Sequence, residues 1–323
     1  MPIDAAEALA AGPRSAGISW TPKDVQLYHL GLGAGVPATD PAELRYTLES
    51  RLHVLPSFAT VAGGGGSVLD GLTAPGVDVD LADVLHGGQR LTLHRPLPVR
   101  GDAVATSRIT AVHDKGKAAV LVTLTEAADA EGPLWTAETR LYVRGEGGFG
   151  GERGPSGRLP APAGEPDLTV DRPVREDQAL LYRLSGDLNP LHADPAFAAR
   201  AGFARPVLHG LCTYGMTLKA VVDTLLGGDV GRVRSYGARF AGVVLPGETL
   251  RVRMWRRDGA VRVTVGAVER DDAPVLTDAV VDLADAADAA GLVAPADGSD
   301  REAGGDREAG AGGAAGAGGA ARV

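Results

Sequence analysis

Apolar and polar side chains alternate with period two through two separated stretches, DAVATSRITAVHDKGKAAVLVTLTEAADAEG from residue 102 and ETLRVRMWRRDGAVRVTVGAVERDD from residue 248. Each predicts antiparallel strands folded as a hairpin or meander, with the turn at Lys-Gly in the first and Asp-Gly in the second. Shorter echoes precede both. LYHLGLG at 27–33 resembles LYRLSGD at 181–187, each on a predicted helix with an acid, Asp24 or Glu176, near its start, where the helix dipole favours negative charge. LPVRGD at 97–102 likewise parallels VLPGET at 244–249. The chain therefore reads as two divergent copies of one pattern. The copies are unequal: the offset is 154 between Tyr28 and Tyr182 but 144 between Asp114 and Asp258, so the first copy carries extra residues around LPSFATVAGGGGSVLDG.

In the second copy RPVLHGLCTYGMTLKAVVDTLLGG predicts a helix of about five turns, too apolar all round to lie on a surface. A buried helix followed by antiparallel strands is what a sheet wrapped on one central helix requires, which makes the fold α+β. Residues 145–166, GEGGFGGERGPSGRLPAPAGEP, are rich in Gly and Pro and read as a linker. That division gives a first repeat over 1–144 and a second over 167–285. From 286 onward Ala, Gly and scattered charges dominate, and such a segment buries too little to offset its ordering entropy, so a disordered tail is expected.

Composition narrows the function. A formal charge of -9 and a pI near 5.3 leave no basic excess to displace counterions from a nucleic acid. A single cysteine, Cys212, excludes an intrachain disulfide framework. Its place on the apolar helix, with no cation adjoining it in sequence, reads as a small core residue rather than a nucleophile. With no signal-like N-terminus and no uninterrupted run of eighteen apolar residues, the expectation is a soluble cytoplasmic protein without membrane partners.

Chemistry concentrates between Tyr182 and Gly210, in YRLSGDLNPLHADPAFAARAGFARPVLHG. Asp187, Asn189, Pro190 and His192 fall in a turn-forming loop between helical patterns, where a carboxylate and an imidazole can share a water and pass a proton near neutral pH. The N-terminus of the following helix, at His209 and Gly210, offers backbone N–H groups that could receive a developing oxyanion. Gly210 would also allow close approach. Other readings stay open at this point. Asp187 and Asn189 could be turn or cap residues, and His192 a satisfied loop histidine. Asp187, His192, Asp194 and His209 are conceivable metal ligands, although no two form a helical His-x-x-x-His pair. The run Gly63 to Gly66 lacks the Gly-Lys-Ser/Thr of a phosphate loop and reads as a flexible or degenerate first-copy helix.

The stretch YRLSGDLNPLHADPAFAARAGFARPVLHGLCTYG resembles the signature of the hydratase 2 family, the MaoC-like (R)-specific 2-enoyl-CoA hydratases. The likeness extends through HGGQRLTLHRPLPVRGD, DKGKAAVLV, LYVRGEGGFGG and FAGVVLPGETLRVRMW, about residues 15 to 285. It implies a double hot-dog fold in which the first, non-catalytic half shapes the acyl-chain tunnel and the second carries the catalytic loop. By matching positions it implies Asp187 and His192 as the acid/base pair, Asn189 as the residue orienting water and the Gly210 N–H as oxyanion donor. His86, Gly87, Lys115 and Phe240 become coenzyme A thioester contacts, and Glu49 a support of fold or site. From the residues alone, Lys115 could equally be a hairpin-turn charge, Phe240 a core aromatic and His86 a turn residue.

The implied reaction is reversible hydration of a trans-2-enoyl-CoA to the (3R)-3-hydroxyacyl-CoA, as in fatty-acid β-oxidation. No metal and no cofactor besides the acyl-CoA substrate is implied, and a homodimer is compatible with the architecture. Two rivals are carried forward: a dehydratase for carrier-protein, polyketide or sterol-side-chain thioesters, and a non-catalytic acyl-CoA-binding hot-dog protein.

Overall fold

Both alternating stretches form the strands their patterns require, and the turns fall on the glycines. The computed structural model describes residues 3–64 and 71–284. In the first half β1 (Arg14–Trp20), β2 (Val84–Leu93), β3 (Gly101–Asp114), β4 (Ala118–Asp129) and β5 (Gly132–Arg144) pair in the order β1-β3-β4-β5-β2. In the second, β6 (Leu168–Pro173), β7 (Val233–Phe240), β8 (Thr249–Arg257), β9 (Ala260–Ala267) and β10 (Ala273–Leu283) pair as β7-β10-β9-β8-β6. Gly116 and Gly259 supply the positive φ, 86° and 67°, that the β3–β4 and β8–β9 turns need.

One order is the mirror of the other. Antiparallel β2 and β7 join them at a seam where Gly88 faces Arg239 and Leu91 faces Tyr236, giving one ten-stranded sheet. This is the double hot-dog. Among the described residues six α-helices accompany it: α1 (Ala5–Ala10), α2 (Pro22–Gly31), α3 (Pro41–Thr47), α4 (Gln178–Tyr182), α5 (Pro195–Arg200) and α6 (Gly210–Leu225).

The long apolar helix α6 is the centre of the core. Every residue from Leu211 to Val222 is buried, in one cluster with strand residues of both halves such as Leu91, Ala137, Tyr236 and Val263. Lys219, a cation on an otherwise apolar helix, is held by Glu43 at 2.7 Å and Asp223 at 2.8 Å, which removes the penalty of an unpaired buried charge and ties α3 to α6. The copies differ where the offset changes. The first half places a short buried 3-10 turn, Pro56–Thr60, against α6. Gly63 and Gly64 continue it as a turn, whereas Gly65, Gly66 and the Ala/Gly-rich segment from 286 lie outside the described residues.

The segment 145–166 is not a free tether. Trp255 Nε1 donates to Gly164 O at 2.9 Å, Leu159 N donates to the Asp278 carboxylate at 2.8 Å, and Asp114 accepts from Gly148 N and Gly150 N, both at 2.8 Å. Among the described residues no helix is long and apolar enough to cross a membrane.

Candidate active site

The loop that follows α4 is built from short-range bonds. Asp187 Oδ1 accepts from Asn189 N at 3.1 Å, and Asn189 Oδ1 accepts from Leu191 N at 2.9 Å, starting a 3-10 turn over Pro190–His192. Asp194 then caps α5 by accepting from Ala196 N. Turn and cap roles are thus real for Asp187 and Asn189, but they use one oxygen of each side chain. Asp187 keeps Oδ2 free of them, and it lies 4.0 Å from His192 Nε2. That gap suits a bridging solvent molecule better than a direct hydrogen bond.

His192 is oriented from behind. Its Nδ1–H donates to Val207 O at 2.8 Å, which leaves the Nε2 lone pair pointing toward Asp187. Burial pushes the imidazole pKa below the ordinary histidine value, with the Asp187 carboxylate partly opposing it. A neutral base therefore stands beside a carboxylate.

His209 was singled out for its backbone at the helix end and as a conceivable metal ligand; its side chain does more. The ring stacks on His192 with centroids 3.7 Å apart and planes 28° apart, and Nε2–H donates to Asp187 O at 3.1 Å. Burial, reinforced by neighbouring His192, holds His209 well below the usual pKa, so it stays a neutral clamp on both members of the pair. Only its place one residue before Gly210 hinted at this. Asp187, His192 and His209 bring ligand atoms within 4.8 Å of one another, whereas Asp194 is occupied as a helix cap.

Gly210 opens α6, so its N–H and that of Leu211 have no partner one turn back, and both residues line the cavity at the positive end of a 16-residue helix. A Cβ on Gly210 would lie 3.1 Å from the Phe240 ring, and that ring packs on His86 at 4.7 Å between centroids. His86 Nε2–H is shared between Gly88 O and Gln89 Oε1, both at 3.1 Å, and burial lowers its pKa to about 4. Gly87 is the extra residue of a bulge in β2, where register shifts between His86 and Gly88.

His86, Gly87, Asp187, Asn189, His192, Gly210 and Phe240 line one cavity of about 860 Å³. Its apolar part includes Leu72, Leu81 and Leu141 of the first half, and its polar part is rimmed by residues 155–159 of the inter-repeat segment. Lys115 is at that rim, but its ammonium donates to Arg153 O and Pro155 O and so braces the segment. Glu49 is elsewhere: it is exposed, outside the cavity lining, and accepts from Gln26 Nε2 at 3.3 Å. Cys212 is buried, with its thiol pKa raised by burial and Sγ against Gly31 O at 3.4 Å, as a core residue should be.

The fold defines the class, a double hot-dog whose second half brings an Asp/His-bearing loop to the cavity. A family model of the MaoC like domain matches residues 159–274, and one of the MFE-2 hydratase 2 N-terminal domain matches residues 18–145. The chain is 52% identical over 279 residues to "Enoyl-CoA hydratase ChsH3" of Mycobacterium tuberculosis, covering 86% of this chain and 98% of that protein. It is 40% identical to "3-hydroxyacyl-thioester dehydratase Y" of the same organism, covering 80% and 91%. Among solved structures, the MaoC-like dehydratase from Phytophthora capsici superposes with a TM-score of 0.78 at 28% identity, covering 88% of this chain and 99% of that one. The chain belongs to the MaoC-like hydratase 2 family and is a hydro-lyase.

Proposed function

We propose that the enzyme adds water reversibly across the double bond of trans-2-enoyl-CoA esters to give (3R)-3-hydroxyacyl-CoA, with Asp187 and His192 as the acid/base pair. The observation that carries this is the 4.0 Å gap between Asp187 Oδ2 and the unprotonated Nε2 of His192, both lining the cavity at the start of α6. A water in that gap loses a proton to His192 as its oxygen bonds to C3. Negative charge moves to the thioester oxygen, where the Gly210 N–H receives it. The imidazolium, stabilised by Asp187, then returns the proton to C2 from the same face. The water thus supplies both the hydroxyl and the hydrogen, and no other reagent is consumed. Asn189 spends its oxygen on the Leu191 amide, which leaves its Nδ2 group to orient the water. His86, Gly87 and Phe240 shape the thioester end of the cavity.

The same steps run backwards dehydrate a 3-hydroxyacyl thioester, and the likeness to a relative named for that direction favours including it. The reading extends to a cytoplasmic role in acyl-chain β-oxidation and to a homodimer. The test is direct. Added to trans-2-enoyl-CoA esters of graded length, the protein should remove the conjugated-thioester absorbance and yield the (3R) product by chiral analysis. Unchanged absorbance with every ester, alongside ordinary binding, would leave only a non-catalytic thioester binder.

A further inference from the structure

Strand β10 is interrupted at an aspartate. Thr277 faces Arg239 and Val280 faces Gly237, so Asp278 and Ala279 together oppose one residue of β7, a bulge that also shifts the register against β9. Asp278 has φ 55°, in the left-handed region that a non-glycine residue occupies at a cost, and such outliers persist where the surroundings hold them. The surroundings here are specific. The carboxylate, 11% exposed, accepts from Arg239 Nε at 2.7 Å, Leu159 N at 2.8 Å and Thr277 Oγ1 at 3.1 Å. It therefore grips a strand of the second half and the inter-repeat segment at once.

That segment forms a strap along the solvent-exposed edge of the cavity, which its residues 155–159 line. Lys115, on the β3–β4 turn, holds the carbonyls of Arg153 and Pro155. Gly157 lies against the guanidinium of Arg140, which a Cβ there would approach to 3.1 Å. Leu159 is fixed by Asp278. Lys115, Arg140, Arg158 and Arg239 all line the cavity. Of these, Arg140 and Arg239 are paired with Glu138 and Asp278, whereas Lys115 meets only carbonyl oxygens and the Arg158 side chain has no carboxylate partner among the described residues. A basic mouth on a chain of formal charge -9 runs against the bulk sign, as a site that attracts an anion requires.

We propose that Asp278 is a positioning residue that locks the strap and Arg239 into a cationic collar for the phosphate-bearing end of the thioester, remote from the reacting double bond. The collar rests on the hydratase reading for the identity of the ester. The strap thereby sets specificity for the carrier, while Asp187 and His192 see only the acyl end.

A pair of substrates separates the two roles: a trans-2-enoyl-CoA and the matching enoyl-pantetheine ester, which has the same reacting group and no phosphate. Asp278→Gly removes the carboxylate and relieves the backbone. It should raise KM for the CoA ester by about tenfold while leaving kcat and the pantetheine KM within about twofold. Asp278→Asn tolerates the same φ and keeps one acceptor, so it should raise the CoA KM less. Coenzyme A itself should shield Arg158 from trypsin in the wild type and not in Asp278→Gly, a readout that needs no turnover. A wild type that hydrates neither ester yet is shielded by coenzyme A would overturn the hydratase reading and keep the collar. Equal losses on both esters, or an unchanged CoA KM with unchanged shielding, would overturn the collar.

Discussion

In the loop between α4 and α5, the imidazole of His192 is stripped of solvent and given a carbonyl for one nitrogen. The other nitrogen keeps its lone pair into a range where an exposed histidine is protonated. The sign follows for the pH profile: a base with a lowered pKa loses function only once pH falls below that lowered value. The acid limb of kcat/KM should therefore lie below 6.5, the ordinary histidine pKa, and a limb centred above it would show that His192 is not the group titrating. That Asp187 and His192 come close together was legible, because turn formers, an acid and an imidazole crowd into six residues. What its neighbours do was not. The His209 stack and the bracing of the strap by Lys115 are contacts across 17 and about 40 residues of chain, set by packing rather than by local pattern. Glu49, carried over by resemblance as a support, sits exposed and accepts from Gln26.

Among the elements, α6 was the plainest in sequence, since no face of it is polar enough for water. Its neighbours come unusually close. A Cβ on Gly215 would lie 2.6 Å from the Tyr28 hydroxyl oxygen and 2.7 Å from Leu32, so α2 and α6 meet only because that position is glycine. Gly215→Ala should lower stability by about 1–3 kcal/mol, the usual cost of overpacking a core, and move the urea midpoint down with an unchanged slope. An unmoved midpoint would mean that α2 yields without loss. Alternation also predicted the β3–β4 and β8–β9 hairpins and their glycine turns. It could not predict the β10 bulge at Asp278, where the backbone departs from alternation to reach another segment.

For the molecule as a whole, two copies of one pattern close into a single sheet, and the repeat was readable because its landmarks recur in the same order. The inter-repeat segment was read as a linker from its Gly and Pro content. Composition says nothing of the side chains that pin it, so its place at the cavity mouth emerged only with the fold. The copies are asymmetric: where the second has Asp187, the first has Gly33, so the proposed mechanism has one catalytic loop per chain. The most direct measurement is therefore the turnover of trans-2-enoyl-CoA by Asp187→Asn and His192→Gln, each verified as folded by circular dichroism. Each should lose at least about a thousandfold in kcat, in keeping with removal of a general acid or base and with no second site to compensate. A folded variant of either kind working near the wild-type rate would contradict the assignment of this loop as the catalytic centre.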